Sequence, residues 1–151
     1  MLKFENVTGY SPVDYRLPNR STKGSAGYDF CVPPGAPGKI IIHPGESAMF
    51  FTGVKFRCPE NYYLRLVGRN STGNKLSLRL KNGEGVIDSD YYNNPKNEGN
   101  IGICLYNFGD KLVALEPGQK VIQGIIQKYY TVDDEVESGS RDGASFFAEK
   151  E

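Results

Sequence analysis

The sequence predicts an all-β fold, and three observations support this prediction. Short runs rich in Val, Ile, Phe and Tyr are separated by Gly, Pro, Asn or Asp, which is the composition of strands and turns. Turn signals such as PPGAPG, HPGE, KNGEG and EPGQ recur about every 8–15 residues, a spacing typical of a sandwich or jelly roll. Almost no segment shows a helical period, which argues against βαβ units.

The strand-like runs give the predicted elements in chain order. They cover residues 28–32, 39–42, 48–56, 62–67, 85–88, 101–107, 112–115 and 121–130. At most one short helix is expected, after Arg69, where Asn70 or Ser71 can cap the helix N-terminus through a side-chain oxygen. No internal repeat divides the chain.

The length of 151 residues fits one domain followed by a short tail. We assign residues 1–132 to the β domain and residues 133–151 to an acidic linker and C-terminal arm. Phe146 and Phe147 lie near the end of this arm, where exposed rings need a partner surface. The arm either folds onto its own subunit or closes over a ligand, and the residues alone favour neither.

The charge balance excludes some classes of function. Lys and Arg number 18 and Asp and Glu number 18, so the net charge is zero and broad nucleic-acid binding is not expected. One small polyanion could still bind, because a few arginines and backbone amides suffice.

Location is predicted from hydropathy and from the cysteines. No stretch approaches the ~18–20 apolar residues that span a bilayer, so no membrane partner is expected. Cys31, Cys58 and Cys104 are widely spaced and form no C-x-x-C pair, which predicts buried free thiols and a cytoplasmic protein.

One stretch is a candidate for phosphate binding, and a second carries a glutamine that could contact a ligand. VGRNSTG, residues 67–73, follows a strand with an arginine and then places Asn, Ser and Thr at a predicted helix start, an arrangement that suits an anion. PGQKVIQGII, residues 117–126, carries one polar interruption, Gln123, in a long apolar strand. An ordinary capped turn and a satisfied core amide are the competing interpretations.

A third stretch, GVIDSDYY at residues 85–92, ends an apolar hairpin arm in two carboxylates, Asp88 and Asp90, and then two tyrosines. A lone aspartate such as Asp88 or Asp29 can hold Mg²⁺ only through water or together with substrate phosphates. His43 is the single histidine and has no Ser or Cys elbow near it, so a catalytic triad is not predicted.

Taken in order, five stretches resemble the motifs of the trimeric dUTP diphosphatases, or dUTPases. They are SAGYDF, GRNST, NGEGVIDSDY, GQKVIQGII and a degraded fifth, RDGASF. The resemblance implies a distorted jelly-roll subunit of the β-clip type, a homotrimer with active sites shared between subunits, and hydrolysis of dUTP to dUMP and pyrophosphate with Mg²⁺.

The resemblance also implies roles for individual residues. Asp88 is the base that activates the attacking water, Tyr91 packs against the deoxyribose, and Asp29 contacts the magnesium through water. The hairpin reads uracil by backbone and amide hydrogen bonds. The substrate-binding residues implied are Arg69, Asn70, Ser71, Asn82, Gly85, Val86, Ile87, Tyr91, Gln123, Arg141 and Phe146.

Three departures from the family pattern qualify this interpretation. Asn70 replaces the usual serine of the second motif, and residues 91–100 form a longer loop than usual. That loop is either a tolerated hairpin extension or a surface for a protein partner. The glycine-rich end of the fifth motif is replaced by ASFFAEKE. A deaminase acting on dCTP and a binding or regulatory protein on the same scaffold are the alternative functions.

Overall fold

The structure, a computed structural model, describes residues 1–34, 39–136 and 139. These residues are mainly β-structure, as predicted, with one α-helix and one 3-10 turn among them. The elements are β1 Lys3–Asn6, β2 Gly27–Cys31, β3 Ile40–Ile42, β4 Ser47–Phe51, β5 Val54–Arg57, β6 Tyr62–Gly68, α1 Asn70–Leu76, β7 Leu78–Leu80, β8 Gly85–Asp88, the 3-10 turn Ser89–Tyr91, β9 Gly102–Asn107, β10 Val113–Leu115 and β11 Lys120–Lys128.

The strands form two main antiparallel sheets and two smaller pairs. The larger sheet has the order β2-β11-β6-β8, and the second has the order β4-β9-β7. β1 pairs with β5, and β10 pairs with β3. Alternate side chains of these strands fill one core, including Leu64 and Leu66 of β6 and Ile103 and Leu105 of β9.

The outer face of the four-stranded sheet carries the polar side chains. Because successive residues of a strand point to opposite faces, Tyr63, Arg65 and Val67 face away from the core that Leu64 and Leu66 enter. This face of the sheet therefore displays the polar groups that neighbouring strands place in register with those three residues.

Several strand boundaries differ from the prediction. The run 48–56 is two strands, β4 and β5, because the chain turns at Gly53, which has a φ of 70°. The turn is held from outside: the Thr52 hydroxyl donates to the Ile101 carbonyl, and the Gly53 N–H donates to Asn100 Oδ1. The short strands β1 (KFEN) and β7 (LRL) were missed, because polar or charged residues interrupt them and neither forms a continuous apolar run, unlike the equally short β3 and β10.

Two further expectations need correction. The N-cap residue of α1, which directly precedes the helix, is Arg69, and no side-chain hydrogen bond caps the helix. The prediction that Asn70 or Ser71 provides the cap was therefore wrong. The three cysteines are free but only partly buried. In the described part of the chain no helix is long and apolar enough to cross a membrane. β11 ends at Lys128, and the domain boundary at residue 132 stays a prediction.

Residues 92–100, here called the 92–100 loop, are tied to the β-core by charged and amide groups. Lys55 Nζ of β5 donates to Asn93 Oδ1 at 2.6 Å and lies 2.8 Å from Glu98 Oε2. The same Glu98 oxygen accepts from the backbone N–H and the hydroxyl of Thr8. Hydrogen bonds from Lys55 and then from Thr8 lower the pKa of Glu98 to about 2.

This cluster predicts a pH-dependent contribution to stability. Because the folded-state pKa of Glu98 lies below its ordinary value of 4.5, its stabilising effect is complete above that value and is lost as the pH falls towards about 2. We expect Glu98→Gln to lower the free energy of unfolding, measured in urea at neutral pH. The difference from the wild type should shrink as the pH falls from 4.5 towards about 2. Glu60→Gln, at an exposed turn glutamate, is the control. A deficit that stays constant from neutral to acid pH would contradict the assignment.

Candidate active site

An open cleft of about 510 Å³ lies where β2, β11 and the start of α1 meet. Several residues predicted to bind phosphate or metal line it together, which the sequence positions alone did not reveal. The lining residues are Ser21, Ser25, Ala26, Gly27, Asp29, Arg69, Asn70, Ser71, Gln123 and Ile125. The first, second and fourth motif-like stretches therefore converge on one surface.

Asp29 is the buried centre of this cleft, with a relative exposure of 7%. Ser21 Oγ donates to Asp29 Oδ2 at 2.7 Å, Arg69 Nε donates to Asp29 Oδ1 at 3.0 Å, and Lys120 Nζ lies 3.4 Å from Asp29 Oδ2. Burial raises the pKa of Asp29, but the Ser21 hydrogen bond and the charges of Arg69 and Lys120 outweigh it, so the pKa is lowered. The side chain is therefore an anion held by two cations.

The guanidinium of Arg69 is oriented by three groups. Besides Asp29, its Nη1 donates to Ser71 Oγ at 3.3 Å and to the Lys120 carbonyl at 3.4 Å. Asn70 is exposed beside it. Since Arg69 and Lys120 together outnumber the one carboxylate between them, the cleft has a local excess of positive charge that suits a phosphate group.

Two groups of the cleft were not identified from the sequence. Lys120 donates to Ser21 Oγ at 3.1 Å, although the two residues are 99 positions apart. Lys120 lies three positions before Gln123 in the same stretch, and that proximity was the available signal. Nothing in the residues around Ser21 indicated that its hydroxyl would reach Asp29.

Gln123 lines the cleft instead of lying within the core. It stands directly opposite Asp29 in the β11–β2 pairing, and its Nε2 donates to the Gly68 carbonyl at 3.0 Å. Gly27 leaves the space for this amide: a Cβ added there would lie 2.0 Å from Gln123 Oε1. The glycine of the first stretch thus determines where the glutamine of the fourth stretch can lie.

The hairpin of the third stretch lies at the other edge of the same sheet. The turn between β7 and β8 includes the exposed Asn82 and then Gly83, whose φ is 87°. Arg65 of β6 forms an ion pair with Glu84 and so fastens the turn to the sheet.

Strand β8 is the edge strand of its sheet, with β6 on one side. Gly85 fits against Leu66, where a Cβ would lie 3.1 Å from the leucine side chain. Val86 is exposed, whereas the Ile87 side chain is buried in the core. A ligand can therefore reach Ile87 only through its backbone.

The carboxylates and the ring that follow β8 have different environments. Asp88 is half-buried at the end of β8, and Asp90 is exposed in the 3-10 turn. Tyr91 is 7% exposed and belongs to the core cluster. Its hydroxyl donates to the Asn100 carbonyl at 2.8 Å, so only a small part of the ring remains open.

Strand register separates these two groups of residues within one chain. Asp29 pairs with Gln123, Gln123 with Val67, and Asp88 with Tyr63, so both groups lie on the outer face of the sheet. Asp29 and Asp88 are therefore separated by three strand spacings across the sheet, roughly 14 Å, and by four residues along the strands, roughly 13 Å. A single chain therefore leaves the cleft and the Asp88 turn at opposite corners of the sheet.

Two predicted features remain: the substrate contacts of the C-terminal arm and the metal site. Arg141 and Phe146 lie outside the described residues. Within the described ranges, no three His, Cys, Asp or Glu side chains come close enough together to hold a metal ion by themselves. A divalent cation here would need oxygen ligands from its substrate.

The fold and these two groups define a class: an all-β protein with a cationic cleft and a separate hairpin bearing a carboxylate and a tyrosine. The dUTPase family model matches residues 14–144. A deoxyuridine 5'-triphosphate nucleotidohydrolase of Lactococcus lactis is 39% identical over 130 residues, 86% of this chain and 84% of that protein.

Solved structures agree with this class. The crystal structure of a dUTPase from Streptococcus mutans superposes with a TM-score of 0.76 at 39% identity, covering 86% of this chain and 98% of that one. A mutant dUTPase from phage phi11 of S. aureus, whose structure reveals how a structural Mg(II) ion is coordinated, matches at 22% identity with a TM-score of 0.69, covering 91% and 97%. The chain belongs to the dUTPase family.

The contact between Gly27 and Gln123 predicts a specific effect of a small substitution. Gly27→Ala should displace the Gln123 amide from the Gly68 carbonyl and weaken binding of a non-hydrolysable dUTP analogue about 5-fold, the value of one lost hydrogen bond. Gly24→Ala is the matched control, because a Cβ there meets nothing within 4 Å. Calorimetric titration measures both affinities. Equal affinities for the two variants would show that ligand binding does not depend on the position of the Gln123 amide.

Proposed function

We propose that this protein hydrolyses dUTP to dUMP and pyrophosphate at sites formed between the subunits of a homotrimer. The observation that carries the proposal is the convergence of three family motifs on the cationic cleft around Asp29 and Arg69. The remaining motif, the hairpin that carries Asp88, lies at the far corner of the same sheet face. A second copy of the chain would supply it, so that each site takes its cleft from one subunit and its hairpin from another.

Asp88 is the proposed general base. A carboxylate accepts the proton of a water molecule that attacks the α-phosphorus in line with the departing pyrophosphate. Its half-buried position at the end of β8 supports this role, because the backbone of the strand and the 3-10 turn limit where the carboxylate can point. Orientation of this kind lowers the entropic part of the barrier.

The edge of β8 is the proposed reader of the base. Residues 85–87 have no strand beside their outer edge in the described part of the chain, so backbone N–H and C=O groups are available to a planar ligand. Together with the Asn82 amide they would match the donors and acceptors of uracil. Cytosine presents a donor where uracil has an acceptor, and the unmatched buried groups would disfavour it.

The cleft is the proposed triphosphate site. Arg69, Asn70 and Ser71 would contact phosphate oxygens, and Gln123 would support them from β11. Lys120 adds a second cation to this group. These charges would stabilise the negative charge that develops on the phosphates during hydrolysis.

Magnesium fits this donor set as an ion shared with the substrate. Asp29 is the carboxylate among the residues lining the cleft, and its oxygens already accept from Ser21, Arg69 and Lys120. A carboxylate with its oxygens already occupied suits outer-sphere contact with Mg²⁺ through a water molecule, which is common for this ion. When bound, the ion would neutralise phosphate charge.

Three finer proposals complete this interpretation. Arg141 would meet the γ-phosphate and Phe146 would stack on uracil, within an arm that spans residues 133–151. The free cysteines support a cytoplasmic location. No observation favours a protein-binding function for residues 91–100, because the amides of Asn94 and Asn97 are used within the loop itself.

The role of Asp88 is tested by an isosteric substitution. Asp88→Asn keeps the size of the side chain and removes the base, so kcat for pyrophosphate release from dUTP should fall by at least ~10²-fold. Asp90→Asn, two residues further on and exposed, should retain most of the activity. Assays with dUTP, dCTP, dTTP and UTP also report selectivity, and activity that survives Asp88→Asn would remove Asp88 from the mechanism.

The division of the site between subunits predicts complementation. Asp88→Asn and Arg69→Gln chains should each be nearly inactive alone, whereas co-expression should restore sites that contain both wild-type groups. Random assortment of the two chains gives such a pair at about one quarter of the sites. Steady-state dUTP hydrolysis by the co-purified mixture measures this recovery. Absence of recovery in a mixed oligomer would place both groups in the same chain's site.

A further inference from the structure

We propose that Asn97, in the 92–100 loop, is a positioning residue that makes the Tyr91 ring a rigid wall against a ribose 2′-hydroxyl. The inference rests on the proposed function, in which Tyr91 faces the deoxyribose. It assigns to the 92–100 loop a part in sugar selectivity, exerted from within the subunit and without contact between Asn97 and the nucleotide.

The Tyr91 hydroxyl is held by two hydrogen bonds, one that it donates and one that it accepts. It donates to the Asn100 carbonyl at 2.8 Å and accepts from Asn97 Nδ2 at 2.8 Å. The backbone of the same tyrosine is held as well, because Asn94 Nδ2 donates to the Tyr91 carbonyl at 2.7 Å. The loop that follows the tyrosine thus fixes both ends of that residue.

The orientation of the Asn97 amide is determined by its other contacts. Asn97 Oδ1 accepts from Asn94 Nδ2 at 2.7 Å and from the Gly99 N–H at 3.0 Å. The Asn97 backbone N–H in turn donates to Asn94 Oδ1 at 3.1 Å. With its oxygen occupied on one side, the amide directs its NH₂ group to the Tyr91 hydroxyl.

The loop is anchored so that these contacts are rigid. Asn100 is buried, and its Oδ1 accepts from the Gly53 N–H at 2.8 Å, in the turn between β4 and β5. Lys55 of β5 holds Asn93 and Glu98 at the other side of the loop. The hydroxyl of Tyr91 is therefore connected to the β-core through the loop and does not depend on solvent.

Steric exclusion of the ribose 2′-hydroxyl requires that the Tyr91 ring keep its position when a ribonucleotide binds. A phenol ring held only by apolar packing can tilt about its side-chain torsions and open the small space that a 2′-hydroxyl needs. The two hydrogen bonds at the Tyr91 hydroxyl oppose that tilt, because any tilt lengthens at least one of them. Loss of the Asn97 donor should consequently improve ribonucleotide binding relative to deoxyribonucleotide binding.

Asn97→Asp is the sharpest test, because it keeps the Oδ1 acceptor for Asn94 and Gly99 and removes the NH₂ donor. The one proton of the Tyr91 hydroxyl can then serve the Asn100 carbonyl or the new carboxylate, so one of the two bonds that hold the ring is lost. We expect the ratio of dUDP to UDP affinity, measured by calorimetry in the presence of Mg²⁺, to fall about 10-fold. Tyr91→Phe removes both hydroxyl bonds and should lower the ratio at least as much. In the Tyr91→Phe background, Asn97→Asp should change the ratio no further.

The control variant is Lys96→Glu, which makes the neighbouring exposed position of the same loop more negative without touching the Tyr91 hydroxyl. Its dUDP to UDP ratio should equal that of the wild type. Thermal melts of every variant identify any that fail to fold. If Asn97→Asp is among them, Asn97→Ala, which also lacks the amide donor, replaces it in both backgrounds.

The outcomes that overturn the inference are distinct from failure of the proposed function. If Asn97→Asp weakens dUDP and UDP equally, or if its effect persists in the Tyr91→Phe background, Asn97 has only a structural role. An unchanged ratio in Tyr91→Phe also overturns the inference. If the wild type binds no dUDP, the proposed function fails and the inference fails with it.

Discussion

The pairing of strand β11 with β2 on one side and β6 on the other determines where the functional groups of the cleft lie. This register places Gln123 beside Asp29 and beside Val67, which precedes Gly68 and Arg69 at the start of α1. The absence of a side chain at Gly27 is part of the same constraint, since the space beside β2 is filled by the Gln123 amide. A shift of one residue would turn Asp29 and Gln123 to the opposite face of the sheet.

The cleft shows how a chain with no net charge can carry a local excess of positive charge. Asp29 is buried between Arg69 and Lys120, and the Ser21 hydroxyl adds a donor, so the carboxylate remains ionised despite burial. The two cations are thereby held in place before any ligand arrives, which reduces the reorganisation that phosphate binding requires. The excess positive charge is local, and the other acidic residues of the chain balance it, so that it does not become a general basic surface.

The 92–100 loop illustrates how an added segment becomes part of a fold. Its asparagine side chains satisfy each other and the backbone, and its Glu98 carboxylate joins Lys55 of β5 to Thr8. Because the loop begins directly after Tyr91, these contacts also bear on a residue that the family resemblance assigns to substrate. Under the proposed function, the same contacts would also set the position of the ring that faces the sugar.

The sequence by itself determined the all-β class, seven of the strands to within about two residues, the position of the helix after Arg69, and the family, because these depend on local composition and on motifs in order. The tertiary structure alone decided that 48–56 divides at Gly53, that Lys120 and Ser21 join Asp29, and that the cleft and the Asp88 turn lie at opposite corners of one sheet. The physical reason is that such contacts join residues far apart in the chain, and only the strand register specifies which of them meet.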